Sequence, residues 1–271
     1  MKDALFSRLL LVTLILTLTS FTVHAQINPD ELVLYYSFDE DAVENGEVVD
    51  LSGNENNGFM RGGNLQFVAG KVNGALQFPG VASDYIAVQN LHYADLFPEI
   101  TIAVWIKTAV RGMIASWDRS EFYRFAAGDD QLGNTTKIAF DVCCPIGDWH
   151  GDTEVTDDDW HHIVVTFNAE TKRIYVDGEL DAEQATHTND KRIGKVITRY
   201  GFIGIGSEAV AFNGTVGPSW AFNGLMDEFL IFHRAISEDE VTTLVKASGN
   251  PLAVDPAGKL STTWGQIKNN K

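Results

Sequence analysis

The stretch Asp157–Leu180, DDDWHHIVVTFNAETKRIYVDGEL, constrains this chain more than any other. Residues 160–167 are rich in β-branched and aromatic side chains and alternate, which is the mark of a strand. Trp160, His162, Val164 and Thr166 share one face; His161, Ile163, Val165 and Phe167 share the other. Neither face is strongly polar, so both sides of this strand are expected to be covered. Asn168–Thr171 supplies a turn, Lys172–Val176 returns, and Asp177-Gly178 has the residue types that a type I′ hairpin requires. A three-stranded antiparallel meander follows, and a chain built around it must be rich in antiparallel sheet.

The remaining residues agree. Leu32–Phe38 (LVLYYSF) reads as a strand that runs into the acidic Asp39-Glu40-Asp41, and Asp50–Gly58 is a turn-rich loop. Further short strands are expected over 70–78, 83–88, 113–117, 122–126, 137–141 and 200–206. Cys143–Asp152 (CCPIGDWHGD) reads as a loop. Ser237-Glu-Asp-Glu240 is a capping box that opens a short helix to about Lys246. The fold expected is all-β, an antiparallel two-sheet β-sandwich with one short C-terminal helix. It occupies residues 26–248 as one domain and leaves 249–271 as a polar tail.

Residues 1–25 read as a secretory signal peptide. Lys2 and Arg8 precede an apolar run, and Val23-His24-Ala25 fits a small-residue cleavage site. The run is too short for a confident membrane span, and residue 26 is Gln rather than a lipidated Cys, so an exported chain without stable membrane insertion is expected. The formal net charge of −17 argues against nucleic acid and anionic membranes as partners while permitting calcium and neutral ligands. The two cysteines, Cys143 and Cys144, are adjacent and cannot staple distant strands, whether bonded to each other or free. Asn134-Thr-Thr136 and Asn213-Gly-Thr215 are glycosylation sequons.

Five motifs in order carry a resemblance to a known family. They are Phe38-Asp39 with Asp50-Leu-Ser-Gly53, Gly70…Gly74-Ala-Leu-Gln-Phe78, Ile100–Lys107 with its embedded Trp105, the Asp157–Leu180 block, and Phe222–Phe232 followed by 233–241. Together these resemble the laminin G-like jelly-roll domains of the concanavalin A-like lectin/glucanase superfamily. The resemblance implies a jelly roll whose first and last strands lie side by side, bringing Asp39 near Asp227 and Glu228. It also implies that His161 and His162 are structural.

The residues offer three kinds of site. Glucanases of this superfamily carry Glu-x-Asp-x-Glu on one strand, and Glu179-Leu-Asp181-Ala-Glu183 has that pattern, giving a retaining β-glucanase as the alternative reading. The position just after a hairpin and the polar continuation argue against it, and no catalytic residue is assigned. A structural calcium would suit export, acidity and loop carboxylates; Asp227 and Asp39 are its candidate ligands, completed by carbonyls of 50–58 or 61–64. Sugar-binding sites place aromatic rings against sugar faces, and Trp149, His150, Trp117 and Trp220 lie outside apolar alternation, so they are the candidate ligand contacts. The function expected is an exported, non-catalytic binding or adhesion module for carbohydrate or another extracellular ligand. A protein-interaction module gripping its partner with 143–152 and 207–220 is the second alternative.

Overall fold

A computed structural model describes residues 27, 28, 31–118, 120–207 and 221–247. Residues 1–25, read above as a signal peptide, the segment 249–271, Trp220 and Asn213 lie outside these residues. In chain order the first strands are β1 (Leu32–Tyr36), β2 (Val43–Glu44), β3 (Glu47–Val48), β4 (Gly58–Arg61), β5 (Gln66–Ala69), β6 (Gly74–Pro79), β7 (Tyr85–Tyr93) and β8 (Glu99–Lys107). Then come β9 (Gly112–Trp117), β10 (Tyr123–Asp129), β11 (Thr135–Val142), β12 (His150–Glu154), β13 (Trp160–Asn168), β14 (Thr171–Val176), β15 (Glu179–Ala185), β16 (Arg199–Ile203) and β17 (Asn223–Phe232). One helix, α1 (Glu238–Lys246), follows.

Two antiparallel sheets result. One runs β15-β14-β13-β8-β17-β6-β5, with β1 also paired to β17; the other runs β12-β11-β10-β9-β16-β7-β4-β3-β2. The first and last strands are neighbours, as expected, with Leu34 opposite Ile231 and Tyr36 opposite Phe229. The main core fills the space between the sheets, where Ile102, Val104, Ile163, Val165 and Ile231 of one meet Ile114, Phe125, Phe140 and Ile203 of the other. The opposite face of the first sheet is also buried: Ala103, Val164, Tyr175 and Leu230 pack under Val241 and Leu244 of α1. This is why the 160–167 run lacks a polar face. The capping box is present, with Glu240 N–H donating to Ser237 Oγ and Ser237 N–H donating to Glu240 Oε2 at 2.8 Å. Among the described residues no helix is long and apolar enough to cross a membrane.

Two expectations need correction. His150–Glu154 is not loop but edge strand β12, with His150 opposite Ala139 and Glu154 opposite Lys137. Trp117 is not a loop-edge aromatic open to a ligand. It is wholly buried, and its indole N–H donates to Leu91 O at 2.9 Å. The strand opposite supplies the room: Trp117 faces Gly201, where a Cβ would collide with the indole ring.

Candidate functional site

The Cys143–Trp149 segment links β11 to β12 at the edge of the second sheet, and the protein holds it from several sides. Cys143 and Cys144 are bonded to one another. Cys143 N–H donates to Phe122 O and Gly194 N–H to Cys143 O, each at 2.7 Å. From the opposite sheet, Lys172 of β14 reaches across the sandwich and donates to Phe140 O at 2.6 Å and Gly147 O at 2.8 Å. Its ammonium lies 5.8 Å from the centre of the Phe140 ring and 5.6 Å from that of Trp149. Phe140 N–H donates to Trp149 O, so Trp149 is fixed through its backbone and its ring. The indole is half-buried, one part packed on the core. His150, also half-buried, places Nδ1 2.6 Å from Gly151 O.

Two acids and a guanidinium, Asp141, Asp148 and Arg124, lie within electrostatic reach of the Lys172 ammonium. Arg124 of β10 pairs with Asp148 at 2.8 Å and lies 3.4 Å from Asp129. Burial, then the charge of Asp148, pushes the Asp141 carboxyl up to about 7, and burial pulls Lys172 down to about 8. Lys172 was not singled out in the sequence, where it reads as an ordinary turn-proximal lysine. The available signal was its place on the apolar face of the 160–176 hairpin, opposite Phe167.

The Glu179–Glu183 pattern does not form a carboxylate pair on one face. Ile174 lies opposite Ala182 but Tyr175 lies opposite Leu180, so Asp181 is the extra residue of a bulge. Directly opposed residues share a face, which puts Glu179 with Val176 and Glu183 with Arg173, on opposite sides. Glu183 pairs with Arg173 Nε at 2.5 Å. Asp181 accepts from Asp152 N–H at 2.8 Å and Thr153 N–H at 3.0 Å, tying β12 of one sheet to β15 of the other. A Cβ at Gly151 would meet that carboxylate, so the glycine is what allows the tie.

Asp227 and Glu228 sit at a second bulge. Asp227 lies opposite Trp105 and Leu230 opposite Ala103, and Glu228 takes a left-handed backbone conformation with φ 53°. That break in alternation turns two successive acids toward one side. Asp227 is wholly buried; its Oδ2 accepts from Lys71 and Val72 N–H, each at 2.8 Å, while Oδ1 has no hydrogen-bond partner among the described residues. Glu228 accepts from the Tyr35 hydroxyl at 2.7 Å, and Asp39 accepts from Gly74 N–H at 2.7 Å. Burial first, with the neighbouring carboxylates adding, pushes Asp227 up to about 7 and Glu228 up to about 8. The backbone beside these acids is therefore Gly70–Gly74. The loops expected there, 50–58 and 61–64, instead fold around Asp50 and Asp84, whose carboxylates accept their N–H groups. A cleft of about 540 Å³ opens beside Asp39. Among the described residues no three His, Cys, Asp or Glu side chains converge as a metal site, so a cation held by Asp227 and Asp39 would need backbone oxygens as well.

His161 and His162 point to opposite faces. His161 lies 2.8 Å from Asp177 and 3.2 Å from Asp157; burial opposes its charging, but these two acids outweigh burial and raise its pKa. His162 is buried with its ring 4.9 Å from that of Trp105, and burial pulls it down to about 4. Both are structural in this fold.

A family model described as the concanavalin A-like lectin/glucanases superfamily, of the laminin G type, matches residues 79–242. No curated protein matches the chain. Among solved structures, the binding domain of Paraclostridial Mosquitocidal Protein 1 superposes with a TM-score of 0.59 at 18% identity, over 80% of this chain and 52% of that one. Domain 4 of AbnA, a GH43 extracellular arabinanase from Geobacillus stearothermophilus in complex with arabinotriose, gives 0.58 at 17% identity, over 80% of this chain and 98% of that domain. The Botulinum neurotoxin serotype D ligand binding domain in complex with N-acetylneuraminic acid gives 0.54 at 16%, over 80% and 51%. The chain thus spans about half the length of the toxin domains and nearly all of the arabinanase domain. At these identities the likeness is one of fold. With the profile match, the two sheets and the paired first and last strands in agreement, this chain belongs to the laminin G-like jelly-roll domains of the concanavalin A-like lectin/glucanase superfamily.

Proposed function

We propose that this chain is an exported, non-catalytic carbohydrate-binding module whose ligand lies against Trp149 and His150. The observation that carries the reading is the Trp149 indole. It is half-exposed at a sheet edge and immobilised by Lys172 beneath it, with the Asp148 carboxylate and His150 on either side in sequence. A ring already fixed costs little entropy when a sugar face stacks on it, and flanking polar groups can bond hydroxyls. The likeness to an arabinanase domain bound to arabinotriose and a toxin domain bound to N-acetylneuraminic acid supports a sugar over other ligands. The opposed faces of Glu179 and Glu183 support binding without hydrolysis. Export rests on residues 1–25.

The test is tryptophan fluorescence during titration with arabinotriose, xylotriose, cellotriose, mannotriose and N-acetylneuraminic acid. Quenching by one of them that Trp149→Ala abolishes, without release of reducing ends, is the expected result. Silence across the panel together with a polypeptide retained from the exported fraction would replace the sugar with a protein partner.

A second reading concerns calcium. The buried, unpartnered Asp227 Oδ1 favours a structural ion held by Asp227 and Asp39, which would neutralise acids that now repel one another. Its chemistry would be electrostatic, locking the Gly70–Gly74 turn to β17.

A further inference from the structure

Where β8 leaves the first sheet and β9 enters the second, the turn 108–111 closes one end of the sandwich. Two clefts flank it, sharing Ala109 and Val110 as their common lip. The cleft on the first sheet, about 320 Å³, gathers Gln77, Lys107, Asp158 and Asn223 over a floor of Gly224 and Leu225. The cleft on the second sheet, about 430 Å³, presents Arg111, Asp130, Thr136 and Thr156. Both volumes lie in the range of ligand sites, roughly 300–1,000 Å³.

The walls are rigid. The Thr108 hydroxyl, 1% exposed, lies 2.7 Å from both Val110 O and Asn223 O, binding the turn to β17. Asp158 N–H donates to Thr108 O at 3.0 Å. A Cβ at Gly224 would press on Thr108 and the Lys107 carbonyl, so the glycine lets the turn seat. In the second cleft Arg111 donates to Asn134 Oδ1 at 2.8 Å and the Thr136 hydroxyl bonds Glu154, whereas the polar tips of the first cleft are uncommitted. Gln77, Lys107, Asp158 and Asn223 make no side-chain hydrogen bond or ion pair with any described residue. Two amides, one carboxylate and one ammonium thus converge with all their donors and acceptors available. Val110, 47% exposed, is an apolar ridge between the clefts. Each cleft carries positive and negative groups side by side, so neither favours a charged ligand on a chain of net charge −17.

The geometry points to a second saccharide site, separate from Trp149, in which a neutral oligosaccharide lies across Val110 with adjacent sugar units in the two clefts. Free amides and a carboxylate carried on a fixed backbone bond vicinal hydroxyls, and Val110 meets the C–H face of a ring. No aromatic platform is used. The ligand class follows the carbohydrate reading above, but the site does not depend on Trp149.

The experiment records side-chain amide and methyl NMR signals of the full exported chain during titration with arabinotriose, xylotriose, cellotriose and mannotriose. N-acetylneuraminic acid is the charged control. The expected result is that one neutral trisaccharide shifts the Asn223 and Gln77 NH2 signals and the Val110 methyls while the acid does not. The pair Gln77→Ala and Asn223→Ala should weaken the affinity read from the Val110 methyls at least tenfold with an unchanged melting midpoint, both side chains being exposed; Trp149→Ala should leave the full response in place. If the sugars act only through Trp149, with the cleft signals still, the second site is overturned and the first reading stands. If the cleft signals move in Trp149→Ala but fluorescence never changed, the first reading falls and this one survives. Still cleft signals with every sugar overturn this proposal.

Discussion

Lys172 and Asp227 are both ionisable, both 0% exposed, and both on the first sheet, yet the protein treats them differently. Lys172 meets two carbonyls and two aromatic faces, so its charge is answered within the chain. Asp227 has one oxygen answered by two N–H groups and the other by nothing described. A buried polar atom without a partner costs about 1–3 kcal/mol, more when charged. The first arrangement is architecture complete in itself. The second calls for a proton or a cation, and that is why the two sites lead to different experiments.

The largest effect should come from removing the answered charge. Lys172→Ala strands the Phe140 and Gly147 carbonyls and opens a hole beneath Trp149. We expect a loss of about 3–5 kcal/mol, a fall in the melting midpoint of roughly 6–20 °C at about 2–4 °C per kcal/mol. A midpoint within ~2 °C of the parent would show that Lys172 does not hold the loop. Next in size is His162, a buried ring whose Nδ1 also lacks a partner among the described residues and which sits across from Trp105, as Asp227 does on the other side. Its folded pKa of about 4 lies below the ordinary value of 6.5. The unfolded chain therefore binds a proton that the folded chain refuses, and stability is lost as pH falls from 6.5 to about 4, on the order of 3 kcal/mol. His162→Gln should flatten that limb of a pH–stability curve; an unchanged limb would assign the loss elsewhere.

Calcium sharpens the contrast directly. At a hundredfold excess over Kd an ion bound only by the folded state adds about 2.7 kcal/mol, or roughly 5–10 °C. Asp227→Asn keeps an acceptor for Lys71 and Val72 but removes the charge. It should lose the calcium response and be no less stable than the parent in EDTA at neutral pH. A midpoint equal in EDTA and calcium for the parent would leave a proton as the answer at Asp227. The smallest effect belongs to Glu240, an answered acid nearer the surface. It is held by Arg234 at 2.6 and 2.9 Å and by Ser237 N–H at 2.8 Å. Ser237→Ala breaks the box and should cost about 1 kcal/mol, seen as a midpoint shift of roughly 2–4 °C.

Much of the fold was legible before any coordinates. Alternation, the Asn168–Thr171 turn and the Asp177-Gly178 hairpin located β13, β14 and β15 and their pairing, and the capping box placed the start of α1. These signals are local: they depend on side chains two to four positions apart. The candidate sites were less legible. Face parity failed where a bulge intervened, at Asp181, which separated Glu179 from Glu183, and at Glu228, which joined it to Asp227. Trp117 and Trp149 look alike in sequence, each beside an aspartate. Gly201 on a neighbouring strand buries one, while an edge position leaves the other half-open.

The sequence by itself determined the class, the strand-rich core and the hairpin and helix signals, because those rest on periodicity and turn chemistry within short windows, while the family rests on the resemblance of five ordered motifs. Only the tertiary structure decided which charges are answered and which aromatics are accessible. Burial is set by what the opposite sheet and adjacent strands bring to a side chain, and those residues stand far away in the chain: Lys172 beneath Trp149, Gly201 against Trp117, Lys71 and Val72 on Asp227.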